Sequence, residues 1–159
     1  MTEMQRTKAH GLLHKTLCTD SSSSRVGCAD YLLVFRNGGE SAIPVKKDPK
    51  KYPVSWWQEV ASPVWMTVDQ GRVLNGEVAR ENADEKHICP LQLDVIERAI
   101  ELWSNPGDLV YSPFTGIGSE GYGALKLKRR FIGSELKKSY ADWARVNMES
   151  ITQQGMLFA

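Results

Sequence analysis

Neither sign of charge predominates in this 159-residue chain: 20 Lys and Arg stand against 19 Asp and Glu. So even a balance leaves no overall electrostatic footprint for nucleic acid, a membrane surface or an acidic partner, and any such binding has to rest on particular residues. Cysteine is scarce. Cys18, Cys28 and Cys89 form no CxxC pair, which speaks against a disulfide framework and suits a reducing, cytoplasmic location. No run approaches the ~18 apolar residues of a membrane span, and the opening MTEMQRTKAHG lacks the apolar core of a secretory signal. His10, His14 and Cys18 would align on one helical face, but their spacing closes no zinc motif and Gly11 weakens the helix, so no metal is expected. What remains, 42% hydrophobic and 25% charged, is the composition of one ordinary globular domain with a core to bury.

Along the chain, order is unevenly distributed. CADYLLVFRN (28 to 37) is β-branched and aromatic-rich, closes on Asn37-Gly38-Gly39, and predicts a buried strand ending in a turn. Residues 38 to 86 show no sustained period, hold Pro44, Pro49, Pro53 and Pro63, and crowd in Trp56, Trp57 and Trp65 beside the lysine-rich KKDPKK. They predict irregular structure with tryptophan anchors rather than plain disorder. From His87 the pattern becomes regular. LQLDVIERAIELW places Leu93, Ile96, Ile100 and Trp103 on one face of an amphipathic helix, stopped by Asn105-Pro106-Gly107. DLVYSPF then predicts a strand, TGIGSEG a turn, EGYGALKLK a helix, RRFIGSEL a strand and KKSYADWARVNMESI a final helix, the order of a parallel β-α-β unit.

The turn in that unit carries chemistry. Gly116, Gly118 and Gly121 form G-x-G-x-x-G between a strand and a helix, where backbone N-H groups and the positive end of the helix dipole suit a phosphate or a carboxylate. Glu135 follows Gly116 by 19 residues, at the end of the next strand, the place from which an acid accepts hydrogen bonds from ribose hydroxyls. An adenosine-bearing cofactor is implied. Only 38 residues follow Gly121, too few for the βαβαβ half of a dinucleotide fold, which makes NAD the poorer choice.

These residues also carry a resemblance. NPGDLVYSPFTGIGSEGYGALKLKRRFIGSELKKSYADWA resembles the N-x-G-D-x-V-x-D-P-F-x-G-x-G-T-T and A-x-x-x-x-R-x-F-I-G-x-E motifs of the β-class amino-methyltransferases of DNA, and EKHICPLQLDVIERAI is similar to the segment that opens on H-P-x-Q-K-P. Residues 87 to 148 are covered well, and KAHGLLHK through WWQEVASPVWM is similar, more loosely, to phage and bacterial members. The resemblance implies an α/β, Rossmann-like methyltransferase fold, circularly permuted and incomplete in this chain, using S-adenosylmethionine and acting on double-stranded DNA at adenine N6 or cytosine N4. It implies that Pro113, Phe114, Thr115, Gly116, Gly118 and Ser119 wrap the methionine and sulfonium end of the donor, that Glu135 holds the ribose, and that His87 belongs to the neighbouring wall. Ser112 stands where the family usually has Asp; it still accepts a hydrogen bond but lacks the charge that attracts an ammonium group. Residues 1-37 are expected to join the methyltransferase sheet, 38-86 to form a target-recognition segment, 87-150 the cofactor portion and 151-159 a tail.

One element of the family is absent. The extruded base is held by a [DNS]-P-P-[YFW] motif, and this chain has no Pro-Pro pair. Ser62, Pro63 and Trp65 of SPVW imitate it with Val64 in place of the second proline, although a tryptophan anchor is the favoured reading there. Two functions stay open: the donor-binding portion of a methyltransferase, completed by a second chain or as a homodimer, or a noncatalytic DNA-binding or regulatory partner of a split enzyme. A nicotinamide-dependent oxidoreductase ranks last.

Overall fold

The computed structural model describes residues 2–4, 18–20, 30–74 and 90–157. Two units divide the chain, Met1–Gln70 and Gly71–Ala159.

The first unit holds a three-stranded sheet in the order β2-β1-β3, made of β1 (Thr2–Met4), β2 (Asp30–Leu32) and β3 (Val64–Trp65). β1 runs antiparallel to β2, with Glu3 opposite Tyr31, and parallel to β3, with Met4 opposite Trp65. β2 is shorter and more exposed than the run CADYLLVFRN predicts. Leu33, Val34 and Phe35 continue beyond it without strand pairing, and Phe35 is 87% exposed. The correction has a simple cause: an apolar run supplies strand propensity, but burial needs a covering layer, and none lies over this run among the described residues. The stretch expected to be irregular does contain regular structure, a seven-residue helix α1 (Val54–Val60) and β3. Pro53 occupies the N-cap of α1 with φ -68°, an extended residue that needs no N–H of its own there. Trp65 is 1% exposed and donates its Nε1–H to the Val60 carbonyl at 2.9 Å, so one tryptophan anchors strand to helix, as the tryptophan-anchor reading expects.

In the second unit the expected order appears: α2 (Leu93–Trp103), β4 (Leu109–Ser112), α3 (Ser119–Lys126), β5 (Arg130–Gly133) and α4 (Lys138–Leu157). β4 and β5 pair in parallel, Leu109 opposite Arg130 through Ser112 opposite Gly133, with α3 as the crossover. The core is Leu93, Ile96 and Ile100 of α2 against Ala124 of α3, with Val110 and Phe131 of the two strands packed on it. Each fully buried Leu or Ile stabilises by about 1.5–3 kcal/mol. Trp103 departs from the expected face and is half-exposed, whereas Val95 is buried. Val95 lies in the first turn of α2, where Leu93 and Ile96 are also buried, and Trp103 is its last residue, so position along the helix overrides the period. The last helix is also longer than its sequence pattern, running on through residues expected to form a tail.

The end of α3 is tied down without glycine. Lys128 adopts φ 62°, and the N–H groups of Lys128 and Arg129 return to the carbonyls of Leu125 and Ala124, the reciprocal pair that closes a helix through a left-handed residue. Buried Arg129 donates to Ser104 Oγ at 3.0 Å, the Ser104 carbonyl at 2.7 Å and the Leu127 carbonyl at 2.6 Å, joining the ends of α2 and α3. The C-terminal edge of the small sheet is thereby left to carry the glycine loop.

Candidate functional site

β4 ends at Ser112, and the chain must then reverse into α3 within six residues. Two left-handed glycines make the reversal: Gly116 at φ 54° and Gly118 at φ 89°, the latter being the N-cap of α3. Their surroundings differ. A Cβ on Gly118 would lie 2.9 Å from Ala144 Cα of α4, whereas one on Gly116 would meet nothing within 4 Å. Gly118 is therefore demanded by packing and Gly116 by backbone conformation beside open space.

The loop is fastened from below. The Thr115 N–H donates to the Ser134 carbonyl at 3.0 Å, the Ser134 N–H to the Ser112 carbonyl at 2.9 Å, and the Gly118 N–H to the Thr115 carbonyl at 2.8 Å. Asn147 Nδ2 of α4 donates to the Ile117 carbonyl at 2.9 Å. Ser112, Thr115 and Ser119 are buried, while Pro113 and Phe114 face outward, Phe114 at 85% exposure. A large apolar ring presented this openly at the mouth of a loop offers a wall to a ligand.

Glu135 joins the loop to the end of β5. Its Oε2 accepts the Gly116 N–H at 2.8 Å and its Oε1 the Lys137 N–H at 2.9 Å. A carboxylate has about four lone-pair sites, so both oxygens retain capacity for a further donor such as a ribose hydroxyl. Close by in the first turn of α3, burial pushes the Glu120 carboxyl above its ordinary pKa, opposed by its own backbone hydrogen bond.

The structure thus brings Ser112, Pro113, Phe114, Thr115, Gly116, Gly118, Ser119 and Glu135 to one edge of the sheet. His87 lies outside the described residues, as do His10, His14, Cys28 and Cys89; among the described residues no group of three His, Cys, Asp or Glu could hold a metal. Ser62, Pro63 and Trp65 belong to the first unit. There Ser62 Oγ donates to the Val64 carbonyl at 2.8 Å, and the enclosed Trp65 ring offers no face on which to stack a base, which is the geometry of an anchor. Sequence reasoning missed Gln92. At the N-cap of α2 it is 0% exposed, and among the described residues neither its Nε2 nor its Oε1 has a hydrogen-bond partner. A signal for its place was in the sequence, since Pro90 and Gln92 repeat the P-x-Q of H-P-x-Q-K-P. An unmet buried amide group costs about 1–3 kcal/mol, so this glutamine is a stored polar capacity at the head of α2.

Among the described residues no helix is long and apolar enough to cross a membrane. Known proteins match both the fold and the sequence. The chain is 30% identical over 114 residues to the type II methyltransferase M.MjaI of Methanocaldococcus jannaschii, covering 69% of this chain and 35% of that one. It is 40% identical over 67 residues to M.BglII of Bacillus subtilis, covering 41% of this chain and 19% of that one. The chain therefore spans about a third or less of the length of these curated relatives. In structure it is similar to the DNA modification methylase TTHA0409 of Thermus thermophilus, with TM-score 0.65 at 19% identity over 94% of this chain and 52% of that one. A complex of TTHA0409 with S-adenosyl-L-methionine matches with TM-score 0.53 at 23% identity, over 73% of this chain and 41% of that one. These likenesses establish a Rossmann-like α/β methyltransferase fold, of which this chain carries a part. A DNA methylase family model matches residues 18–146, most of the chain, and the chain belongs to that family of N6-adenine and N4-cytosine DNA methylases.

Proposed function

We propose that this chain is the S-adenosylmethionine-binding portion of a site-specific DNA methyltransferase, acting on double-stranded DNA in the cytoplasm within a restriction-modification setting. The observation that carries the reading is the hydrogen bond from the Gly116 N–H to Glu135 Oε2, which unites the glycine loop with the acid at the end of the next strand. A donor with a ribose and an amino-acid carboxylate needs both, the acid for the hydroxyls and the loop with the start of α3 for the anionic end. The exposed Pro113 and Phe114 form the apolar wall along its sulfonium side, and the resemblance of EKHICPLQ to H-P-x-Q-K-P assigns His87 to the neighbouring wall. When bound, S-adenosylmethionine supplies an activated methyl group at a sulfonium. This chain's residues orient that group: Glu135 fixes the ribose, the Gly116 backbone lets the ligand approach closely, and Ser112, neutral where relatives of this type carry Asp, accepts a hydrogen bond from the ammonium.

The base-holding Pro-Pro motif would come from a segment beyond these residues or from a second chain, in a permuted order with 38–86 as the target-recognition segment. Its absence from the 159 residues favours one further reading, a noncatalytic DNA-binding partner of a split enzyme. Equilibrium dialysis against S-adenosylmethionine with Glu135→Ala separates the outcomes. Loss of a hydrogen bond to a charged group predicts donor binding weaker by about 1.5–3 kcal/mol, roughly 10- to 150-fold. Unchanged affinity in a folded variant would remove Glu135 from the site.

A further inference from the structure

We propose that the turn from Lys46 to Trp57 in the first unit is a surface that grips the phosphate backbone of duplex DNA. The inference rests on the DNA methyltransferase reading and goes beyond it by naming where the duplex is held.

Charge is the first observation. Lys46, Lys47, Lys50 and Lys51 fall within six residues together with Asp48, a local +3 in a chain whose formal net charge is +1. The acid is turned to the backbone: Asp48 Oδ1 accepts the Lys50 N–H at 2.9 Å, and its carbonyl accepts the N–H groups of Tyr52 at 2.9 Å and Lys51 at 3.1 Å. Asp48 thus builds the turn on which the lysines are mounted.

Convergence is the second. Lys47 Nζ lies 5.4 Å and Lys51 Nζ 4.9 Å from the centroid of the Tyr52 ring, so one aromatic ring gathers two ammonium groups. The third observation is the rigid base. Tyr52 packs edge-on against Trp56 at 4.7 Å, and Trp56 sits on α1, whose Val60 is buried and bonded to Trp65. Trp57, on the same helix, is 56% exposed. A cationic turn on an aromatic footing positions a polyanion without reading its sequence.

The test is fluorescence anisotropy with two unrelated duplexes of about 20 base pairs across about 50–200 mM salt, comparing the wild-type chain with the Lys47→Gln, Lys50→Gln, Lys51→Gln triple variant. Each lost phosphate contact makes the slope of log K against log salt shallower by about 0.9, so the triple variant should lose about 2–3 units of slope equally on both duplexes. Lys50→Gln alone, an exposed position, should lose about 0.9 and covers the case in which the triple variant misfolds. A wild-type slope in the variants, or a loss confined to one duplex, overturns the proposal. Titration with S-adenosylhomocysteine keeps the two readings apart: if the wild-type chain fails to bind it, the methyltransferase reading falls and this surface with it. Intact S-adenosylhomocysteine binding beside an unchanged salt slope overturns the surface alone.

Discussion

Replacing Gly118 and Gly116 separately by alanine distinguishes the packing demand of the glycine loop from its ligand demand. At Gly118 the new Cβ would stand 2.9 Å from Ala144 Cα, 3.0 Å from Ala144 Cβ and 3.2 Å from the Ala144 carbonyl oxygen, with φ at 89°. These are mostly backbone atoms of a helix and cannot rotate away. The left-handed conformation costs an L-residue about 1–2 kcal/mol, and overpacking a filled contact adds about 1–3 kcal/mol. Gly118→Ala should therefore destabilise by about 2–5 kcal/mol. Gly116, at φ 54°, has nothing within 4 Å of the added Cβ. Gly116→Ala should cost only the conformational part, about 1–2 kcal/mol, and on the proposed donor site should also weaken donor binding. Urea unfolding followed by circular dichroism gives the stabilities, and calorimetric titration with S-adenosylhomocysteine gives the affinities. Equal destabilisation by the two substitutions, or full donor affinity in Gly116→Ala, would refute the division of roles.

Two further substitutions probe α3. Lys128 holds the left-handed position that closes the helix, at φ 62°, so Lys128→Gly should stabilise by about 1 kcal/mol, read as an increase in the urea midpoint; an unchanged or lower midpoint would count against strain there. Burial raises the folded-state pKa of Glu120, so its stabilising contribution is present when it is protonated and is lost as pH rises from the ordinary glutamate range through the raised value. Glu120→Gln should accordingly gain stability over the wild type as pH rises from about 4 to 7, a difference measurable by thermal unfolding at each pH. A constant difference across that interval would show that Glu120 does not titrate abnormally.

The second unit was legible because period and punctuation agree. The helical spacing of Leu93, Ile96 and Ile100, the Asn-Pro-Gly stop, and glycines between an apolar strand and an amphipathic helix all point to one topology. Trp103 and Val95 escaped this reasoning because periodicity reports a face and not how burial differs between the two ends of a helix. α1 escaped because four prolines spread over the segment mask a seven-residue helix that one of them starts. The loop geometry was legible where glycine is needed for a left-handed backbone, at Gly116 and Gly118, and where a single acid at a fixed offset meets the loop, at Glu135. For Gln92 the motif position could be read, but its burial without a partner is a property of three-dimensional surroundings that no local pattern encodes.

The most direct measurement is a calorimetric titration of the purified chain with S-adenosylhomocysteine, with NAD as the comparison ligand. The loop joined to Glu135, in a chain of the DNA methylase family, predicts saturable binding of S-adenosylhomocysteine and none of NAD. Binding of NAD, or of neither ligand by a folded sample, would contradict the account.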